Sequence, residues 1–313
     1  MSGASRLAAR MGARALVRRL PFPYRAPTAP SGVELVPADR RTGIDYDTRW
    51  ARRWPARAGR LAIIEGPMRL VVRTLADPRR RGLDRLETLR GPVVFAANHH
   101  SHLDTPLMLT SVPERFRHRL VVAAAADYFF PDRARSAASA LAMGAVPIER
   151  TRVSRRSADD LAALIGEGWS LLIFPEGGRS PDGWGQGHRG GAAYLAVRCG
   201  VPVVPVHLEG TGSILGRGDK LPRPGSTTVT FGQPLGAEEG EDARRFAVRI
   251  EAAVAALADE AITDWWSARR RAAAGRSPAL TGPDAPTWRR AWALGPRRPE
   301  RRRSAGRHTW PDI

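Results

Sequence analysis

Three histidines and an aspartate lie close together in the stretch AANHHSHLDTPLML, which begins at Ala96. In one interpretation, His100, His102 and Asp104 form the HxHxD pattern of a metal-dependent hydrolase, because imidazole nitrogens and carboxylate oxygens are common zinc ligands. That pattern continues with another histidine, whereas Thr105 stands here, and the downstream histidines lie in no recognisable ligand context. A metal-dependent hydrolase is therefore an alternative that this stretch supports only in part.

The same stretch contains His99, five residues before Asp104. A loop of this length can bring the carboxylate to one imidazole nitrogen, so that the other nitrogen can accept a proton from a substrate hydroxyl. A third interpretation involves no chemistry, since Asp104 or Thr105 before Pro106 is a good N-cap for a helix. The stretch by itself leaves these interpretations open.

Two further motifs follow predicted strands. GAVPIER ends at Arg150, and FPEGGRS contains Arg179. Guanidinium groups that leave the ends of strands can bind a phosphate through paired hydrogen bonds. The alternative is a surface ion pair for each arginine, Arg150 with Glu149 and Arg179 with Asp182. A fourth motif, VPVVPVHLEG, reads as a buried strand that its prolines shape.

Apolar runs place these motifs on regular elements. Strands are predicted at 92–97, 119–126, 145–149, 170–175, 201–208 and 227–232. Helices are predicted from about Pro106, at 133–142, at 157–166, up to Gly200 and over 246–261. Strands that alternate with helices predict the α/β class, a sandwich around a mostly parallel or mixed sheet.

The net charge of +19 is concentrated at the two ends of the chain. Residues 1–60 have 13 Arg and 4 acidic residues, and residues 267–313 have 12 Arg and 3 acidic residues. We expect 1–60 to be a basic, partly disordered extension, 61–266 to be the domain, with its motifs at 90–235, and 267–313 to be a disordered Arg/Pro-rich tail. Basic ends attract anionic lipid headgroups. A further alternative is therefore a non-catalytic basic protein that binds membranes through its ends. No nucleic-acid partner is expected, because residues 61–266 contain no nucleic-acid-binding motif.

Taken in order, the motifs NHxSxxD, GxVPIxR, FPEGxRS and VPVVPV resemble the glycerolipid acyltransferase family, which includes the 1-acylglycerol-3-phosphate acyltransferases. The resemblance covers about residues 90–235 and implies an acyltransferase-type αβ sandwich. It implies that His99 is a general base and that Asp104 orients it. By the same resemblance, the acceptor site contains Arg150, Glu176, Gly177 and Arg179, and Arg189 adds a further phosphate contact. Gly178 departs from the pattern, because threonine is the commoner residue there, and this puts acceptor choice in doubt.

The resemblance also implies a reaction. An acyl group would pass from acyl-CoA or acyl-carrier protein to a hydroxyl of a lysophospholipid, most simply lysophosphatidic acid to phosphatidic acid, without a metal or other cofactor. No apolar run in the sequence approaches the ~18 residues of a spanning helix, and the sequence has a single cysteine, Cys199. We therefore expect a cytoplasmic protein that associates peripherally with an anionic surface at the inner face of the membrane.

Overall fold

The computed structural model describes residues 43–149 and 155–293, so Arg150 lies outside the described residues, as do most of the predicted N-terminal extension and the end of the tail. Seven strands form one sheet in the order β1-β7-β6-β2-β5-β3-β4. Their bounds are β1 Pro78–Arg81, β2 Val94–Ala97, β3 Leu120–Ala125, β4 Ala145–Ile148, β5 Ser170–Ile173, β6 Val203–Glu209 and β7 Thr227–Phe231. Every neighbouring pair is parallel except β6 and β7, which are antiparallel.

Twelve α-helices lie in the described residues: α1 Trp54–Ile63, α2 Arg69–Ala76, α3 Asp104–Ser111, α4 Glu114–Arg117, α5 Ala126–Phe129, α6 Arg133–Met143, α7 Arg155–Gly166, α8 Gly191–Cys199, α9 Thr211–Leu215, α10 Ala243–Ile262, α11 Trp265–Ala273 and α12 Thr287–Ala293. A π-helical turn, Ile64–Met68, joins α1 to α2, and 3-10 turns lie at Gly43–Asp45, Arg49–Arg52 and Asp84–Leu86. Among the helices of these described ranges, none combines the length and the apolar character that a bilayer-crossing segment needs.

The central strand β2 contributes to a core on each face of the sheet. Phe95 and Ala97 belong to the core cluster that includes residues of α2 and α3, whereas Val94 and Ala96 belong to the cluster that includes residues of α7, α8 and α10. Successive side chains of a strand point to opposite faces, so a strand that is apolar throughout needs helices on both sides. The result is the three-layer α/β sandwich that the sequence predicted.

All six predicted strands are present, with bounds that differ by one to a few residues. The sequence missed β1, whose residues PRRR carry no apolar alternation, because this strand lies at the edge of the sheet and is largely exposed. It pairs in parallel with β7, and Pro78 aligns with Thr227. A strand of this kind forms through backbone pairing alone, which leaves no signal in the side chains.

The predicted ends of the domain need correction. Helix α1 crosses the predicted boundary at residue 60. The prediction of little fixed structure is wrong for 267–293, where α11 and α12 form. Asp264 caps α11, and Arg271 of this helix makes two hydrogen bonds of 2.6 and 2.7 Å to the buried carboxylate of Asp259 on α10. These contacts are long-range or depend on a cap, so the local Arg-rich composition does not reveal them.

Candidate active site

The site begins where two neighbouring strands end. β2 and β5 are parallel, and Ala96 aligns with Ile173. The residues that follow each strand therefore emerge at the same edge of the sheet, which is where α/β proteins bind ligands. His99 follows β2, and the FPEGGRS motif follows β5. We call residues 174–186 the motif loop.

His99 and Asp104 are in direct contact. Nδ1 of His99 lies 2.8 Å from Oδ2 of Asp104, whose side chain is fully buried. The same oxygen accepts the backbone N–H groups of His100 and Ser101, at 2.7 and 2.8 Å. A carboxylate can only accept hydrogen bonds, so Nδ1 carries the imidazole proton and Nε2 is left as the acceptor. This is the geometry of a general base and its orienting carboxylate.

The helix-cap interpretation of Asp104 is wrong. Helix α3 begins at Asp104 and has Leu103 at its N-cap, without a side-chain capping bond. The Asp104 carboxylate instead turns back to donors that precede it in the chain. It closes the histidine loop and does not satisfy the N–H groups of its own helix.

Two side chains fasten the histidine loop to the β6 side of the sheet. The amide of Asn98 pairs with the backbone of Leu208, donating to its carbonyl at 2.9 Å and accepting its N–H at 2.7 Å. Ser101 Oγ donates to the carbonyl of Leu215 at 2.6 Å. Asn98 is 1 % exposed, and buried bonds of this kind fix a loop because their loss would leave polar groups unpaired.

The motif loop holds the backbone of His99 from the other side. The N–H of His99 donates to Oε1 of Glu176 at 2.9 Å, and its carbonyl accepts the N–H of Ser180 at 2.9 Å. The ring of Phe174 stacks on the imidazole, with ring centroids 4.2 Å apart. His99 is therefore positioned by its own loop through Asp104 and by the motif loop through both backbone polar groups.

Glu176 is buried next to the backbone of His99 and does not face the cavity. It is 2 % exposed, and its second oxygen, Oε2, accepts the N–H of Gln186 at 3.0 Å. Burial raises the pKa of Glu176 to about 7, against the two backbone N–H donors that favour the charged form. Pro175 and Gly177 line the cavity beside His99, but Glu176 is not among its described lining residues. Both carboxylate oxygens are thus committed to the backbone of the site.

Gly177 permits Arg189 to pack against the motif loop. Its φ of +73° lies in the left-handed region, and a Cβ atom there would lie 2.8 Å from Nε of Arg189. The N–H of Arg189 donates to the carbonyl of Pro175 at 2.8 Å, which brings the start of α8 against the loop. Any other residue at position 177 would strain the backbone and displace the guanidinium.

A cavity of about 310 Å³ opens beside His99. One part of its lining is polar and basic and comprises His99, His102, Arg179, Gln186, Arg189 and Arg217. Another part is apolar and includes Val122, Ala124, Phe129, Met143, Ile148, Leu161, Ile173 and Leu195. Basic, polar and apolar residues in one cavity beside the imidazole can accept a molecule that carries both an anionic group and an apolar chain.

The structure brings four predicted site residues to the cavity, His99, Gly177, Arg179 and Arg189, with Asp104 and Glu176 directly behind His99. The seventh, Arg150, lies outside the described residues, although Glu149 before it lines the cavity. The alternative for Arg179, a surface ion pair with Asp182, does not form, because Asp182 pairs with Arg290 at 2.7 Å.

The cavity also contains residues that the sequence analysis did not identify. Gln186 lines the cavity and donates from Nε2 to the carbonyls of Gly178 and Arg179, at 3.3 and 3.2 Å.

Arg217, which follows α9, also lines the cavity and is exposed. It comes after the end of β6, a neighbour of β2 in the sheet. A basic residue after a strand was the signal available in the sequence, but only the strand order shows which strand ends meet.

The three candidate metal ligands do not converge. His102 stacks on Tyr128, and its Nε2 lies 2.9 Å from the Tyr128 hydroxyl at the cavity wall. His100 instead has its Nε2 buried without a hydrogen-bond partner, and burial lowers its pKa. Asp104 uses Oδ2 for the His99 ring and two backbone donors. Within 43–149 and 155–293, no group of three or more His, Cys, Asp or Glu side chains is placed to bind a metal.

The part of the chain that contains the histidine loop and the motif loop is similar to known proteins. The family model described as Acyltransferase matches residues 77–209. The chain is 34% identical over 167 residues to a 1-acyl-sn-glycerol-3-phosphate acyltransferase of Chlamydomonas reinhardtii, covering 51% of this chain and 47% of that protein. It is 31% identical over 159 residues to the chloroplastic enzyme BAT2 of Brassica napus, which carries the same activity name, covering 50% and 44%. The chain thus spans about half the length of the curated relatives it matches.

A solved structure has the same fold. The crystal structure of the 1-acyl-sn-glycerophosphate (LPA) acyltransferase PlsC from Thermotoga maritima matches with a TM-score of 0.54 and 24% identity, over 70% of this chain and 85% of that one. The α/β architecture is therefore that of a known acyltransferase. Residues 77–209, which include the histidine loop, the motif loop and strands β1 to β6, are therefore similar to the acyltransferase family.

Proposed function

We propose that this chain is an O-acyltransferase that moves a fatty acyl group from a thioester donor to a hydroxyl of a glycerol phosphate lipid, with lysophosphatidic acid as the acceptor and phosphatidic acid as the product. The observation that carries the proposal is the 2.8 Å contact of His99 with Asp104 beside a cavity whose lining includes both arginines and apolar side chains. The activity names of the relatives from Chlamydomonas reinhardtii and Brassica napus support this choice of acceptor.

The proposed reaction is direct transfer without an acyl-enzyme intermediate. Nε2 of His99 takes the proton of the acceptor hydroxyl while that oxygen forms a bond to the thioester carbonyl carbon. The tetrahedral intermediate then expels the thiolate as the carbon–sulfur bond breaks, and the imidazolium returns its proton to the sulfur. Asp104 stabilises the imidazolium through Nδ1. The donor is acyl-CoA or acyl-carrier protein, and the balance of the reaction needs no further cofactor.

The lining of the cavity supports the assignment of its parts to the acceptor and the acyl chain. Arg179, Arg189 and Arg217 line the cavity, and arginine binds phosphate with paired hydrogen bonds. Arg150, predicted as a phosphate ligand, remains part of this proposal. The apolar part between β3, β5 and α8 provides a surface for an acyl chain, whose burial is favourable by about 0.8 kcal/mol per methylene.

The proposal is tested by an acceptor screen with labelled acyl-CoA, comparing lysophosphatidic acid with glycerol 3-phosphate and with neutral lysolipids. We expect transfer to lysophosphatidic acid, and a loss of about 10²–10⁴ in rate for His99→Ala, because general-base catalysis contributes that much. His118→Ala, on a half-exposed histidine away from the cavity, is the control. A His99→Ala protein that keeps most of its transfer activity would refute the mechanism. A wild-type activity that a chelator abolishes would favour the metal-dependent hydrolase instead.

We further propose that the chain works at an anionic membrane surface, where its acceptor resides. α1 and α2 expose Trp54, Leu70 and Val71, at 72 %, 64 % and 48 %, on helices that also carry arginines. Apolar side chains next to arginines suit the headgroup region of a bilayer. Sedimentation with anionic and with zwitterionic vesicles tests this proposal. Binding to anionic vesicles that weakens with salt is expected, and equal recovery in the supernatant with both vesicle types would contradict it.

A further inference from the structure

The segment before α12 and the first residues of that helix pack against the motif loop. We call residues 276–290 the C-terminal strap. Nε of Arg290 donates to Oδ2 of Asp182 at 2.7 Å, and the indole N–H of Trp184 donates to the carbonyl of Arg290 at 3.1 Å. The backbone N–H of Gly185 donates to the carbonyl of Leu280 at 3.0 Å. Three residues, Asp182, Trp184 and Gly185, thus join the C-terminal part of the motif loop to the strap.

The steric fit between the two segments is close. Gly282 has a φ of +72°, and a Cβ atom there would lie 2.3 Å from the indole ring of Trp184. A Cβ atom at Gly185 would lie 3.1 Å from Cβ of Leu280. Arg290 and Asp182 are each 23 % exposed, so their ion pair is largely shielded from water. The hydrogen bond from Arg290 holds the pKa of the Asp182 carboxyl below its usual range.

Hydrogen bonds connect the end of the motif loop that contacts the strap to Arg179 and His99. Gln186 follows Gly185, and its side chain donates to the carbonyls of Gly178 and Arg179. Its backbone N–H donates to Glu176, whose other oxygen accepts the N–H of His99. A displacement of the loop at Gly185 would therefore move both the backbone of Arg179 and the carboxylate behind His99.

We propose that the C-terminal strap is a positioning element of the acceptor site, which keeps the motif loop in the conformation that presents Arg179 to the acceptor phosphate. Arg290 and Trp184 are positioning residues, because neither is among the residues that line the cavity, whereas the neighbouring Gln186 is. The strap lies outside residues 77–209, the range of the family match. The inference rests on the proposed function for the identity of the acceptor.

The test compares Arg290→Ala with Arg289→Ala in the full chain. The guanidinium of Arg289 lies over the ring of Trp288, 5.0 Å from its centroid, and makes no described contact with the motif loop, so it is a matched control. Residues in one hydrogen-bond network are energetically coupled, so the loss of one member weakens the placement of the others. We expect Arg290→Ala to raise the KM for lysophosphatidic acid about three- to thirtyfold with kcat within about twofold, and Arg289→Ala to change neither.

Reversal of the ion pair separates positioning from a general loss of structure. The double variant Asp182→Arg with Arg290→Asp should have a lower KM than either single variant. Arg290→Lys should raise KM less than Arg290→Ala does. Hydrogen exchange of the full chain supplies a readout without turnover. Peptides that cover Gly185 and Gln186 should exchange faster in Arg290→Ala than in Arg289→Ala, while peptides from β2 stay unchanged.

The outcomes distinguish the two proposals. A wild-type chain that acylates no glycerol phosphate lipid overturns the proposed function and the acceptor role of the strap with it. An active wild type whose KM is the same in Arg290→Ala and Arg289→Ala overturns the strap inference alone. Equal exchange at Gly185 and Gln186 in both variants overturns the coupling between strap and loop, whatever the activity.

Discussion

Asp104→Asn removes the charge behind His99 and leaves the shape of the site almost unchanged. Oδ2 of Asp104 accepts from the His99 ring and from the N–H groups of His100 and Ser101. The two backbone donors fix the amide oxygen of asparagine in the same place, so Nδ1 of His99 keeps its proton. The amide nitrogen then replaces Oδ1, which has no hydrogen-bond partner among the described residues. The variant therefore tests the charge and not the tautomer.

The size of the effect follows from the distance. Two unit charges 2.8 Å apart, the separation of Nδ1 and Oδ2, interact by about 6 kcal/mol at an effective dielectric constant of about 20. That energy corresponds to a change of about 10⁴ in rate. It is an upper limit, because solvent that enters the cavity weakens the interaction between the imidazolium and the carboxylate. The excess of a charge-assisted hydrogen bond over a neutral one, about 1 kcal/mol, gives a floor of about fivefold. We expect kcat to fall about 10²–10³-fold.

The assay is initial-rate kinetics with labelled acyl-CoA and lysophosphatidic acid, with kcat and KM measured separately. KM should change little, since Asp104 lies behind His99 and is not among the residues that line the cavity. Asp132→Asn is the matched control, because Asp132 caps α6 by accepting the N–H of Arg135, and asparagine caps a helix equally well. A folded Asp104→Asn protein with kcat within threefold of wild type, below the floor of about fivefold, would refute stabilisation of the imidazolium by this carboxylate.

Three other changes test the surroundings of the site. Burial raises the pKa of Glu176 from 4.5 to about 7, so the folded state keeps this proton to a higher pH than the unfolded state does. The free energy of unfolding therefore falls by up to about 3 kcal/mol as pH rises from about 4.5 to about 7. Denaturant unfolding at about pH 5 and about pH 8 should show a smaller fall for Glu176→Gln, and parallel curves would contradict the assignment. Burial lowers the pKa of His207 from 6.5 to about 4, so the unfolded state binds its proton first and stability is lost as pH falls through that window, by up to about 3 kcal/mol. This loss opposes the Glu176 effect over part of the pH range, so His207→Gln is compared with wild type: it should lose less stability between about pH 6.5 and about pH 4, and a curve parallel to that of wild type would exclude His207 as the source. Gly177→Ala should raise the KM for the phosphorylated acceptor by displacing Arg189, whereas Gly187→Ala, with open space around its Cβ position, should not; equal KM values would argue against the contact.

The sequence by itself determined the class of the fold and the central pair of the site. Apolar runs and the turns between them indicated six of the seven strands, because burial on both faces of a sheet leaves a signal in local composition. His99 and Asp104 could be paired from their spacing because they lie in one loop, and the choice between a base and a metal ligand came from the resemblance of motifs along the chain. The strands and the His99–Asp104 pair depend on residues close together in the sequence, whereas the preference for a base depends on the order of motifs spread over about residues 90–235.

Only the tertiary structure decided which strand ends meet and what holds them. It brought Arg217 to the cavity, placed Glu176 behind His99 and paired Asp182 with Arg290. The two partners of this last pair are 108 residues apart in the chain, and each lies in a segment whose composition resembles a surface loop. Charged and polar side chains find partners through space, and a sequence pattern reports burial and spacing but not the partner. The strap and the roles of the buried polar groups therefore follow from the fold and not from any local pattern.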